Sequence, residues 1–167
     1  MRFKSAFTMI ELALYIALAA VVLLGSAEMM ALVTDARIKN MVVSEVEQQG
    51  DSVLQVITQS IRNATVVNSP LAGASSSALS IDTSVPANNP TIFDITGGIL
   101  SVKEGAGVAV PLTNSRVVVS SLNFQNLAQT GANDNLRVSF SVIYNSSSTR
   151  QVYQYSRNFY GSGSLRQ

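Results

Sequence analysis

Several residue types that carry out chemistry in other proteins are absent from this chain of 167 residues. There is no cysteine, which excludes both a disulfide framework and a thiolate metal site. There is no histidine, the commonest general base and the commonest transition-metal ligand. A serine nucleophile would then depend on a lysine, and Lys39 and Lys103 are predicted to be solvated surface residues. We therefore expect no enzyme activity, no catalytic residue and no cofactor.

Charged residues are also scarce, at 13% of the chain, with 11 basic and 10 acidic side chains. No basic arm or stripe is present, so binding to a nucleic acid backbone is not expected. Four carboxylates offer calcium-type ligands, but they are far apart and lack the spacing of a calcium-binding loop. They are Asp82, Asp94, Glu104 and Asp134. Scattered surface carboxylates are the better interpretation, and we predict no metal site.

What the chain does have is a long apolar segment from Phe7 to Ala27, in which Glu11 is the one charged residue. As a helix, these 21 residues would be about 30 Å long, the thickness of a bilayer's hydrocarbon core. Arg2 and Lys4 precede the segment and favour a cytoplasmic N-terminus. A carboxylate inside a membrane costs about 2.5–3.5 kcal/mol, so Glu11 requires a partner or a function.

Three interpretations of this segment differ in what they explain. A secretory signal peptide would have a shorter apolar core and a small-residue cleavage site at its far end, for which Leu24–Ala27 is a weak candidate. A plain signal anchor fits the length but leaves Glu11 unexplained. The third interpretation rests on the residues around Glu11.

Those residues form a short and specific motif. Ala6 ends a basic leader, residues 7–11 read Phe-Thr-Met-Ile-Glu, and an apolar helix follows. This arrangement resembles the N-terminus of a type IV prepilin, in which it explains both the charge and its position. The resemblance implies that prepilin peptidase cleaves between Ala6 and Phe7 and methylates the new amine of Phe7. The family nearly always has glycine at the position of Ala6, and alanine is small enough for cleavage.

The resemblance also implies a role for Glu11, the fifth residue of the mature chain. Buried in lipid, its carboxylate would pair with the amine of Phe7 on a neighbouring subunit and so fix the register of a filament. The chain would divide into a leader (1–6), a transmembrane polymerisation helix (7–27) and a globular domain (28–167). The implied partners are other pilin or pseudopilin subunits, the prepilin peptidase, the assembly platform and the cytoplasmic membrane. Subunits would leave that membrane for an extracellular or periplasmic filament.

Helical character continues beyond the apolar segment, because no proline precedes Pro70. Past Glu28 the polar face becomes charged, and apolar residues recur at spacings of three, four and seven. They are Ile38, Met41, Val42, Val46, Val53, Ile57, Ile61 and Ala64. This stripe predicts an amphipathic helix to about Val66 that packs on a C-terminal sheet. Gly25 and Gly50 weaken the helix and are interpreted as tolerated or packing residues, or as a hinge.

After the helix the composition changes, and Asn68–Ser77 is a loop by content. Gly97-Gly98 predicts a two-residue hairpin turn between Thr91–Thr96 and Ile99–Glu104, and Arg150–Tyr160 is the predicted partner of the strand that ends at Tyr144. The predicted strands are Ala78–Ile81, Thr91–Ile95, Ile99–Lys103, Val108–Leu112, Arg116–Phe124, Leu136–Tyr144 and Gln151–Phe159. The predicted fold is α+β, with a long N-terminal helix packed on an antiparallel sheet, as in pilins.

Aromatic residues and arginines cluster near the C-terminus. They are Tyr144, Tyr153, Tyr155, Phe159 and Tyr160, beside Arg150 and Arg157. In a hairpin this pattern is typical of cross-strand packing, and contact with a ligand or with DNA is the alternative. Asn63 and Asn145 each begin a glycosylation sequon, a motif short enough to arise by chance.

We therefore expect a structural subunit of a type IV pilus, or of a secretion or competence pseudopilus. The C-terminal hairpins resemble minor pilins of the W type and pseudopilins of the J type, and a major pilin is the alternative. The alternative is a single-pass, membrane-anchored extracytoplasmic binding domain that does not polymerise. The mature N-terminus distinguishes the two, because a methylated Phe7 supports the pilin and an intact Met1 supports the anchor.

Overall fold

A long helix opens the part of the chain that the computed structural model describes, residues 8–129 and 133–165. This helix, α1, covers Met9–Asn63. It starts directly after Thr8, whose hydroxyl oxygen accepts a hydrogen bond from the backbone N–H of Glu11 at 3.3 Å. The chain forms two compact units, Met1–Lys39 and Asn40–Gln167, so the apolar part of α1 belongs to the first and its amphipathic part to the second.

The amphipathic part of α1 buries a single stripe of residues. Their spacings of three and four place them on one helix face, and the stripe consists of Val42, Val46, Gly50, Val53, Ile57 and Ile61. The predicted stripe is therefore confirmed over most of its length. Met41 is an exception at 54% exposed, because it lies about 100° around the helix from Val42, which faces the core.

Among the described residues, the strands form two antiparallel sheets. The first has the order β1-β3-β4-β5-β6. Its strands are β1 (Ala64–Ser69), β3 (Leu79–Thr83), β4 (Thr91–Thr96), β5 (Ile99–Glu104) and β6 (Val110–Pro111). The second has the order β2-β7-β8-β9. Its strands are β2 (Ser75–Ser76), β7 (Val117–Asn126), β8 (Asn135–Tyr144) and β9 (Ser156–Ser164), and short 3₁₀ turns lie at Pro86–Asn88 and Gln151–Tyr153.

One core joins the amphipathic part of α1 to both sheets, which confirms the predicted α+β class with its helix packed on antiparallel strands. Ile57, Phe93 and Phe124, one from α1 and one from each sheet, are fully buried in this core. The hairpin predicted at Gly97-Gly98 is also confirmed. Both glycines have positive φ, 62° and 81°, as a two-residue turn requires.

Several predicted boundaries were wrong. The helix ends at Asn63 and not near Val66, because the β-branched run from Thr65 to Val67 joins β3 as strand β1. The loop predicted over Asn68–Ser77 contains the end of β1 and the short strand β2. The last strand starts at Ser156 and not near Arg150, because Gln151–Tyr153 forms a 3₁₀ turn. The strand predicted over Val108–Leu112 has only two residues, Val110–Pro111, because proline lacks the N–H that would continue the ladder of hydrogen bonds.

Gly50 is a packing residue of the core. A Cβ at this position would lie within the ring of Phe159, which projects from β9 onto α1. That ring is buried and stacks on Phe140 at 5.4 Å between centroids, so it has little room to move away. The hinge interpretation of Gly50 is therefore not needed, since close approach of helix and sheet already requires glycine.

We expect Gly50→Ala to destabilise the protein by about 1–3 kcal/mol, the usual range for overpacking a core. In an open helix the same change would stabilise by about 1 kcal/mol, so the sign of the effect is informative. Gly25→Ala is the matched control, because a Cβ at Gly25 has no neighbour within 4 Å. Thermal melting of the purified chain in detergent measures both variants. A Gly50→Ala protein that melts at or above the wild-type temperature contradicts the packing role.

Candidate functional site

The apolar part of α1 is the candidate functional site, because none of the described residues covers it. Every described residue from Thr8 to Thr34 is exposed, including large side chains such as Leu14 and Leu24. Soluble proteins rarely leave so large an apolar surface uncovered. By length and composition α1 is able to cross a membrane, and it lies near the N-terminus. A membrane anchor is therefore consistent with the structure.

Two hydroxyl side chains in the exposed part of α1 form hydrogen bonds within the helix. The hydroxyl of Ser26 donates to the carbonyl of Val22, and that of Thr34 donates to the carbonyl of Met30, each at 2.8 Å. Such bonds to the carbonyl four residues earlier remove the cost of placing a hydroxyl in lipid. Glu11 differs from these residues, because a carboxylate has no hydrogen to donate to a helix carbonyl.

Glu11 lies in the first turn of α1, where its position has a local structural meaning. Thr8 accepts a hydrogen bond from the N–H of Glu11, so Thr8 is the N-cap and Glu11 is the third helical residue. Thr-x-x-Glu is the sequence of a capping box. A carboxylate at this end of a helix also interacts favourably with the macrodipole. The spacing of Thr8 and Glu11 indicates a helix N-terminus in the sequence itself. These two residues are interpreted from the sequence only as part of the prepilin motif.

The other two predicted site residues, Ala6 and Phe7, lie outside the described residues. Cleavage between them and methylation of Phe7 therefore stay predictions. No protein-family model, curated protein or solved structure matches this chain. The function is accordingly inferred from the chain's own residues.

The C-terminal aromatic cluster is divided between the core and the surface. Phe159 is buried against α1, and the guanidinium of Arg157 lies 5.4 Å from the centre of its ring. Arg157 also pairs with Glu47 of α1 at 2.7 Å. Tyr160, in contrast, points to the outer face of the second sheet and is 62% exposed. The cross-strand packing interpretation is confirmed for Phe159, whose ring stacks on that of Phe140 in β8.

Three of the four carboxylates considered as calcium ligands have hydrogen-bond partners of their own. Asp94 accepts from the hydroxyl of Ser101 at 2.8 Å, and Asp134 accepts from the amide of Asn126 at 2.7 Å. Asp82 likewise accepts from Asn68 at 2.9 Å. These contacts tie neighbouring strands and loops together. Within residues 8–129 and 133–165, no three acidic side chains are grouped as a metal site would require.

Proposed function

We propose that this chain is a membrane-inserted structural subunit, a minor pilin or a pseudopilin, of a type IV pilus or a related secretion or competence filament. The observation that carries the proposal is an exposed apolar helix that has one carboxylate, Glu11, in its first turn. Before assembly this surface lies in the membrane. After assembly it is covered by the same helix of neighbouring subunits, which explains why the folded chain leaves it bare.

The carboxylate of Glu11 has different surroundings in the membrane and in the filament. In lipid its carboxylate is costly, and the capping position and helix dipole offset only part of that cost. Cleavage after Ala6 would create an amine on Phe7, and a neighbouring subunit could bring that amine to Glu11. Pairing stabilises only the correct axial step between subunits, since a misplaced subunit leaves both charges buried and alone. The partners follow from this step: other pilins, the prepilin peptidase and the assembly platform.

A second candidate function is a membrane-anchored extracytoplasmic binding domain. It is favoured by the second unit, Asn40–Gln167, which has a complete core of its own. Such a domain needs α1 as an anchor but needs neither cleavage nor self-association. It leaves the charge of Glu11 with only its favourable interaction with the helix dipole.

The two candidates predict different N-termini, and Ala6 is the residue that tests them. We expect the membrane-extracted protein to lack residues 1–6 and to carry a methylated Phe7. Ala6→Gly should be processed at least as fast, whereas Ala6→Leu should block cleavage because its side chain is large. Intact-mass measurement on protein from cells with active peptidase determines the N-terminus of the wild-type protein and of both variants. Retention of Met1 in the wild-type protein would exclude the pilin proposal and leave the anchored domain.

A further inference from the structure

Strand β9 is a sheet edge that is not protected by short length, irregular pairing or proline. The other terminal strands of the two sheets are irregular or short. β1 has two register shifts, and β2 and β6 have two residues each. Short strands, irregular pairing and proline discourage the addition of a further strand. β9 has nine residues, contains neither proline nor lysine, and pairs with β8 without a register shift. Its single charge, Arg157, is turned toward Glu47 of α1.

Two backbone hydrogen bonds fix which groups of β9 point outward. Leu165 donates to the carbonyl of Asp134 at 3.2 Å, and the carbonyl of Tyr155 accepts from Tyr144 at 3.0 Å. Backbone groups alternate along a strand, so odd-numbered residues between these two face β8. The N–H and C=O groups of the even-numbered residues therefore face away from β8. These residues are Ser156, Asn158, Tyr160, Ser162 and Ser164, and no described residue forms a backbone hydrogen bond with them on that side.

Helix α1 lies directly over this edge and limits what can bind there. A Cβ at Gly161 would come within 2.6 Å of Leu54, and one at Gly163 would come within 3.0 Å of Ile61. Beside the end of β9, at Ser164, an open groove of about 1040 Å³ follows the polar face of α1. The edge is thus accessible for pairing, but bulky side chains on the α1 side of the sheet have little space.

We propose that β9 binds an extended segment of a different polypeptide, which pairs with its outward backbone groups and has small side chains on the face toward α1. Only an extended backbone can match a row of alternating N–H and C=O groups. A symmetric β9–β9 pair of two copies is excluded by geometry. A symmetric β9–β9 pair is antiparallel and would bring two α1 helices onto the same face over strands about 4.8 Å apart. Packed helices need about 8–10 Å between their axes.

Hydrogen exchange on the full-length chain tests this inference at single residues. In detergent, the outward amides of β9 should exchange without protection, whereas in the membranes of the producing cells they should exchange at least about tenfold more slowly. Ser162→Pro removes one outward N–H and no bond to β8, so we expect it to abolish this slowing. Ser162→Ala keeps that N–H and should retain the slowing. If Ser162→Pro fails to fold, the comparison of wild-type exchange in detergent with that in membranes still tests the proposal.

A photo-crosslinking residue in place of Tyr160 identifies the chain that pairs with β9. An adduct with a different polypeptide that disappears in Ser162→Pro supports the proposal. An adduct of two copies of this chain overturns it, as does equal exchange in detergent and in membranes. The inference does not depend on filament formation. A failure here leaves the pilin proposal intact, because that proposal is tested at Ala6 and Glu11.

Discussion

Ile57→Asp should unfold the second unit of this protein or lower its melting temperature by about 10 °C or more. Ile57 is fully buried at the centre of the stripe that α1 packs against both sheets. Truncating such a residue costs about 2–5 kcal/mol, and the new carboxylate adds the cost of an unpaired buried charge. The total is comparable with the 5–15 kcal/mol that stabilises a typical domain. Thermal unfolding of the full-length chain in detergent, followed by circular dichroism, measures the change.

Two variants separate burial from other effects of this substitution. Gln48→Asp places the same side chain on an exposed position of the same helix and should change the melting temperature little. Ile57→Val keeps the site apolar and should cost only about 0.5–1.5 kcal/mol. An Ile57→Asp protein as stable as Gln48→Asp would show that this helix face does not contact a core.

The helix could be predicted from the sequence, but its end could not. Spacings of three and four identified Val46, Val53, Ile57 and Ile61 correctly, because a packed helix buries residues at those intervals. The buried positions continue at Ala64 and Val67, again three residues apart, although both lie in β1. β1 has an irregular register, so its burial does not alternate. Periodicity alone cannot separate such a strand from one more helical turn.

The last strand was misplaced for a related reason. Gly161, Ser162, Gly163 and Ser164 have low strand propensity, whereas Gln151–Tyr153 looked more favourable. Glycine is present in β9 because α1 passes directly over it, a constraint that appears only in three dimensions. Gly50 belongs to the same contact, made from the helix side. Local hairpins such as the one at Gly97-Gly98 were predictable, because their turn residues determine the pairing.

The candidate site was only partly visible in the sequence. The lone charge of Glu11 in an apolar run is a sequence feature, and it motivated the registry hypothesis. Its capping bond with Thr8 is also encoded locally, by a spacing of three residues. The two roles use different groups of Glu11. The capping bond uses its backbone N–H, whereas registry needs the negative charge of its side chain.

Glu11→Gln should therefore reduce incorporation into filaments by at least about tenfold, although the protein still folds, inserts and is cleaved. Glutamine leaves the backbone capping bond to Thr8 in place but cannot form an ion pair with the amine of Phe7, and loss of one partner from a buried pair costs about 3–5 kcal/mol. Glu11→Ala should show the same loss, and its insertion should be no worse, since the costly carboxylate is gone. Thr8→Ala is the matched control: it weakens the cap by about 1 kcal/mol but keeps the charge, so we expect near wild-type incorporation. The measurement is the amount of each variant in sheared filaments relative to that left in membranes. Normal partitioning of Glu11→Gln would show that the charge of Glu11 is not needed for registry.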